Sequence, residues 1–231
     1  MKTIGLIGGM SWESSLVYYK LINTLVKEKL GGFHSCKSVM VTVDFAEIEK
    51  LQHEGDWDSL NHLMTRAAKQ LEAAGAEITV LCTNTMHLCS EAITTATNIP
   101  FLHIAQATGI AIQEIGLSKV ALLGTKFTME KDFYKTYLTD HFNIEVLIPP
   151  QDERETIHRI IYNELVQGII NERSREIFKE IINRLIAKGA QGVILGCTEI
   201  PLLISAQDVA TPVFDTTTIH AAKAVEWALN K

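Results

Sequence analysis

Little in this 231-residue sequence points to a nucleic acid or a membrane. No block of lysine and arginine stands out and the formal net charge is −6, so a phosphate backbone is not the expected partner. No apolar run reaches membrane length. The longest candidate, residues 93–117, is interrupted by Asn98, Pro100, His103, Gln106, Gln113 and Glu114. The N-terminal run from Ile4 to Met10 is short, contains three glycines and leads into Trp12-Glu13 with no small-residue cleavage site, so it reads as a buried strand and loop rather than a secretory signal. Cysteine is scarce: four residues, expected as free thiols in a reducing, cytoplasmic compartment. The nucleotide-binding patterns G-x-G-x-x-G and G-x-x-x-x-G-K-[ST] are missing, and Gly8-Gly9 reads instead as a strand exit that lets backbone approach a small ligand. Cys82, His87 and Cys89 follow a Cys-x4-His-x-Cys spacing that matches no standard zinc motif and lacks a fourth ligand, so no metal site is expected.

What is present is an alternation of short β-branched runs with longer helical stretches. Strands are expected at residues 3–7, 38–44, 78–82, 120–123, 145–148 and 192–195. Helices are expected at 14–30, 57–74, 152–167, 173–188 and 217–229. This order argues for an α/β protein of parallel sheets flanked by helices.

The sequence also repeats itself. Residues 71–85, LEAAGAEITVLCTNT, align without a gap on residues 185–199, LIAKGAQGVILGCTE, at an offset of 114. Leu71, Ala73, Gly75, Ala76 and Leu81 match Leu185, Ala187, Gly189, Ala190 and Leu195. A second pair, Ile4 to Gly8 against Val120 to Gly124, lies at an offset of 116. Near-equal offsets imply that a whole lobe is duplicated. The lobes are expected at 1–98 plus 208–231 and at 99–207, with a ligand cleft at the carboxyl ends of their strands. The register pairs Thr83 with Cys197. It does not pair Cys82 with Cys197, because Cys82 and Thr83 point to opposite sides of their strand.

Cys197 precedes Thr198-Glu199-Ile200-Pro201. A helix starting there draws the thiol toward thiolate, and Glu199 opposes it. Its alternative reading is a small buried hydrophobe. Thr83-Asn84-Thr85 suits a carboxylate held at the other tip, or plain capping of the next helix by Asn84 or Thr85. His220 reads as a helix-start residue.

At these tips the chain resembles the aspartate/glutamate racemase family. The likeness runs through Gly8-Gly9-Met10, Asn84-Thr85-Met86-His87 after Thr83, Gly124-Thr125, Gly196-Cys197-Thr198-Glu199, and Asp215 to His220. The resemblance implies two similar α/β lobes with the active site between them, a homodimer, an amino-acid substrate and no cofactor. It implies a substrate-binding set of Met10, Ser11, Gln52, Asn84, Thr85, Thr125, Thr198 and Glu199. The family uses two cysteines on opposite faces of the substrate α-carbon, one removing the proton and the other returning one. Here the first of the two is Thr83, and Cys82 stands one residue early, on the wrong face. Carried over, Cys197 takes the proton of the L-enantiomer and the Thr83 side returns one, with aspartate or glutamate as substrate. The arginine and lysine that hold the side-chain carboxylate in many relatives are absent in register, and Gln52 is the neutral donor left for that task. The alternatives are a broad-specificity amino-acid racemase, a single-cysteine decarboxylase or hydantoin racemase of the same superfamily, and an inactive amino-acid-binding protein.

Overall fold

The computed structural model describes residues 1–230. They form two compact units, Met1–Ile104 with His220 onward, and Ala105–Ile219.

The first unit runs β1 (Ile4–Gly8), α1 (Trp12–Leu30), β2 (Ser38–Thr42), α2 (Phe45–Glu54), α3 (Trp57–Ala73), β3 (Ile78–Leu81), a 3-10 turn at Thr85–Cys89, α4 (Ser90–Ala96) and β4 (Phe101–Leu102). The second contains most of α5 (Ile104–Glu114), then β5 (Lys119–Gly124), α6 (Lys126–Glu130), α7 (Asp132–Phe142), β6 (Glu145–Leu147), α8 (Gln151–Asn163), α9 (Glu172–Ala187), β7 (Val193–Gly196), β8 (Val213–Asp215) and the start of α10 (Thr216–Leu229). Each unit holds a four-stranded parallel sheet, in the order β2-β1-β3-β4 and β6-β5-β7-β8.

The two sheets share strand order and also register. Ile7 pairs with Leu81 in the first, and Leu123 pairs with Leu195 in the second. These are the positions that the offsets of 116 and 114 equate, so two separate sequence matches converge on one pairing. The helix ahead of each matched strand is built alike. In α3, Leu60, Met64, Ala67, Ala68 and Leu71 form the buried stripe, and Asp56 caps the start by accepting from Ser59 N at 3.0 Å. In α9 the stripe is Ser174, Phe178, Ile181, Ile182 and Leu185, with Asn171 as the cap. Each fully buried Leu, Ile or Phe in these stripes contributes about 1.5–3 kcal/mol. Gly75 and Gly189 end the two helices at φ +86° and +97°, conformations that a side chain disfavours.

Four differences from the sequence expectation have local causes. The helix expected to 167 stops at Asn163 and continues as a 3-10 turn, Leu165–Gln167, closed by Gly168 in the left-handed region. The segment 45–54, unassigned from sequence, is helical because Asp44 caps it through Ala46 N. β4 and β8 are edge strands of two and three residues, too short for periodicity to show. Because β8 pairs with β7, the second unit extends to residue 219, whereas the sequence placed the return to the first lobe at 208. No helix among the described residues is long and apolar enough to cross a membrane.

Candidate active site

Consider first the ends of the paired strands in the second unit. Gly124 and Gly196 face each other across β5 and β7, and a Cβ on Gly124 would lie 2.8 Å from the Gly196 carbonyl. Thr125 and Cys197 follow immediately. Thr125 is the N-cap of α6, its hydroxyl accepting from Thr128 N at 3.3 Å. Cys197 is partly exposed and packs against the rim of its unit's core. Its Sγ donates to Glu199 Oε2 at 2.8 Å, and Thr198 Oγ1 donates to the same oxygen at 2.7 Å.

The helix expected after Cys197 is a single 3-10 turn, Ile200–Leu202, with Pro201 inside it. One turn carries little dipole, so the pull toward thiolate inferred from sequence is weak. Desolvation is the largest influence on the thiol, followed by the Glu199 charge and its hydrogen bond. Together they hold Cys197 well above the ordinary thiol range, against backbone contacts from Glu199 and Thr198. The resting group is a neutral thiol aimed at a carboxylate.

The first unit gathers the other predicted residues. Cys82 is fully buried with Ile4, Leu6, Tyr18 and Val80 on one sheet face, while Leu81 lies in the cluster on the other face. Burial pushes the Cys82 thiol up strongly. Thr83, next in line, is partly exposed. Alternation thus seals Cys82 into the core and leaves Thr83 at the strand end. Asn84 and Thr85 are buried, and the side chain of Asn84 does not cap the turn that follows, so capping does not account for it. Gln52, on α2, is buried at 5% exposure and donates from Nε2 to Met86 Sδ at 3.0 Å, which brings it to the Thr83–Thr85 tip.

Met10 and Ser11 lie in the loop after β1. Ser11 is the N-cap of α1, accepting from Ser14 N at 3.3 Å, and Ser14 Oγ donates to the Cys82 carbonyl at 2.6 Å, which ties this loop to the end of β3. Gly9 explains itself differently from the sequence reading. At φ +94°, a Cβ there would meet the Val43 carbonyl at 2.1 Å, so the glycine accommodates neighbouring backbone. Cys82 and Cys89 belong to different core clusters, and both nitrogens of His87 bond backbone, so the three do not form a metal centre. His220 lies near the start of α10, as the sequence reading had it, and is also fully buried with partners on Tyr18 and Leu102, which a lone histidine in sequence does not announce.

The sequence profile of the Asp/Glu/hydantoin racemase family matches residues 7–224. The chain belongs to this family. It is an isomerase, an amino-acid racemase of the Asp/Glu racemase superfamily. Among solved structures it is similar to one described as a candidate Asp/Glu racemase from Yersinia pestis, with 52% identity, full coverage of both chains and a TM-score of 0.95. It is also similar to an aspartate racemase homologue from Pyrococcus horikoshii, at 37% identity, full coverage of both chains and a TM-score of 0.87. Among curated proteins, the broad specificity amino-acid racemase of Bacillus subtilis is 24% identical over 179 residues, 74% of this chain and 73% of that one.

Proposed function

We propose that this racemase interconverts the enantiomers of aspartate or glutamate without a cofactor, working most readily from the L-enantiomer. Cys197 is the base that takes the α-proton of the L-form, and the Thr83 side returns a proton to the opposite face. The observation that carries this reading is the Cys197–Glu199 contact at 2.8 Å. A thiol paired with a carboxylate can pass its proton to that carboxylate as substrate arrives, and the thiolate so formed is the stronger base. At the Thr83 end the group is a hydroxyl, a poor base and a serviceable proton donor or relay. Unequal groups on the two faces give unequal handling of the two enantiomers.

In this reading Met10, Ser11, Asn84, Thr85, Thr125 and Thr198 contact the amino-acid backbone, and Gln52 supports the side-chain carboxylate as a neutral donor. The protein acts in the cytoplasm, as a homodimer. A second reading, broad specificity, is favoured by the same Gln52, since a neutral amide selects less strictly for a carboxylate than an arginine would. A panel of single enantiomers, scored by chiral chromatography, separates the two. Turnover confined to aspartate and glutamate supports the first reading. Comparable turnover of apolar amino acids supports the second.

A further inference from the structure

The mechanism leaves one group of buried polar side chains unused: His87, His103 and His220, with Tyr18. His87 is fully buried. Its Nδ1 lies 2.8 Å from the Thr83 carbonyl, and its Nε2 lies 3.1 Å from the Ile104 backbone N–H. A carbonyl can only accept and an N–H can only donate, so the ring is the neutral tautomer protonated at Nδ1. His220 is set in the same way, donating from Nε2 to the Leu102 carbonyl at 2.9 Å and accepting at Nδ1 from Tyr18 Oη at 2.8 Å. The His87 ring is held by Phe101, His103 and His220, whose ring centres lie 5.4, 4.7 and 5.7 Å away.

The consequence for Thr83 is specific. Its backbone N–H donates to the Leu81 carbonyl at 2.9 Å, and its carbonyl is taken by His87. Both backbone groups are committed, which leaves χ1 as the main freedom, and a β-branched side chain has little of that. The matched tip in the second unit is built otherwise. There the Cys197 carbonyl accepts from the backbone N–H of Ile200, and the residue at the offset of 114 from His87 is Pro201, which has no polar side chain. An apolar residue would fill the His87 site without needing two hydrogen-bond partners, so packing alone does not call for an imidazole.

We propose that His87 is a positioning residue for Thr83. Its imidazole ties the Thr83 peptide to the start of α5 and thereby fixes how the Thr83 hydroxyl is presented. The proposal rests on the reading of Thr83 as one side of the racemase reaction. It accounts for the difference between the two tips: the Thr83 hydroxyl works through alignment, whereas Cys197 works through Glu199.

Two readouts test it. The first is α-hydrogen exchange of each enantiomer in heavy water, for wild type, His87→Leu and His87→Asn. The asparagine amide can still donate to the Thr83 carbonyl. His87→Leu should slow the D-enantiomer about tenfold or more and the L-enantiomer by less than about threefold, and His87→Asn should recover most of the D-side loss. The second readout needs no turnover. In a Thr83→Cys background, iodoacetamide labelling of the introduced thiol, followed on its own peptide, should change about fivefold with His87→Leu and return with His87→Asn. If the leucine variant does not fold, His87→Gln, whose longer amide misses the Thr83 carbonyl, takes its place. Equal loss for both enantiomers in step with melting temperature, or labelling that ignores residue 87, would overturn the proposal. A wild type that exchanges no amino acid would sink the racemisation chemistry proposed for Thr83, and labelling alone would then decide whether His87 holds the strand end.

Discussion

The thiol of Cys197 and the carboxylate of Glu199 share one proton across 2.8 Å, two residues apart on the same turn. The carboxylate therefore has two opposed effects. At rest its charge disfavours the thiolate, and in the proposed mechanism it accepts the thiol proton.

Glu199→Gln separates those effects. Removing the charge lowers the Cys197 pKa, so at pH 8 the variant should alkylate faster at Cys197 than wild type. Turnover should nonetheless fall, by about 10²–10⁴-fold if Glu199 is the proton acceptor. In wild type, labelling of Cys197 should rise with pH and reach half its maximum above the usual thiol value of about 8.5. Labelling kinetics by mass spectrometry, alongside kcat, check the pair. Slower labelling in the variant would mean that the carboxylate already activates the resting thiol.

Cys197 and Cys82 should behave oppositely when substituted. Cys197→Ser should leave the melting temperature near wild type and reduce turnover by about 10²–10⁴-fold. Cys82→Ala, which empties part of a fully buried site, should lower stability by about 1 kcal/mol and leave turnover within about threefold. Calorimetry and steady-state kinetics on both variants are sufficient. A Cys82 variant as inactive as the Cys197 variant, with normal melting, would shift the assignment to Cys82.

Acid should destabilise the first unit through its buried histidines. His220 is held at about 4 by burial, against about 6.5 in an unfolded chain. Between those values the unfolded state binds more protons, so the free energy of unfolding falls as pH falls. The stabilisation present above pH 6.5 is lost by pH 4, and for His220 alone it amounts to about 3 kcal/mol. His87, held well below its usual range by burial and by His103 and His220, adds in the same direction. Urea unfolding at pH 7, 5.5 and 4 should show the decline, and His220→Gln should flatten it while lowering stability at pH 7.

Gly9 should tolerate no side chain. Gly9→Ala combines a left-handed φ of +94° with a contact of 2.1 Å to the Val43 carbonyl, and should destabilise by about 2 kcal/mol or more, about 4–8 °C in melting temperature. Calorimetry of Gly9→Ala beside Gly31→Ala, where nothing lies within 4 Å, isolates the steric part from the backbone part.

Much of this was legible in the sequence because the duplication doubled each signal. Leu71, Gly75, Ala76 and Leu81 repeat as Leu185, Gly189, Ala190 and Leu195, and the strand register of both sheets follows those positions. Period-2 alternation was enough to separate Cys82 from Thr83. Tertiary partners were beyond reach. Nothing local to His87 announces that it bonds Thr83 and Ile104, since Ile104 is 17 residues away. The raised Cys197 thiol was equally hidden, because its sign depends on where the Glu199 side chain points and on Ile200–Leu202 being one turn instead of a helix. β8 was missed because three residues at a sheet edge carry no period.

The most direct test of the central claim is proton NMR of each enantiomer of aspartate and glutamate, incubated with the protein in heavy water. L-aspartate or L-glutamate should lose its α-hydrogen signal readily, and the matching D-enantiomer should lose it slowly, since the proposed mechanism turns its proton toward the Thr83 hydroxyl. The equilibrium constant between enantiomers stays at one, so the asymmetry is kinetic. Thr83→Cys should raise the D-side rate more than the L-side rate. Equal rates for both enantiomers in wild type, or exchange that survives Cys197→Ser unchanged, would contradict the account.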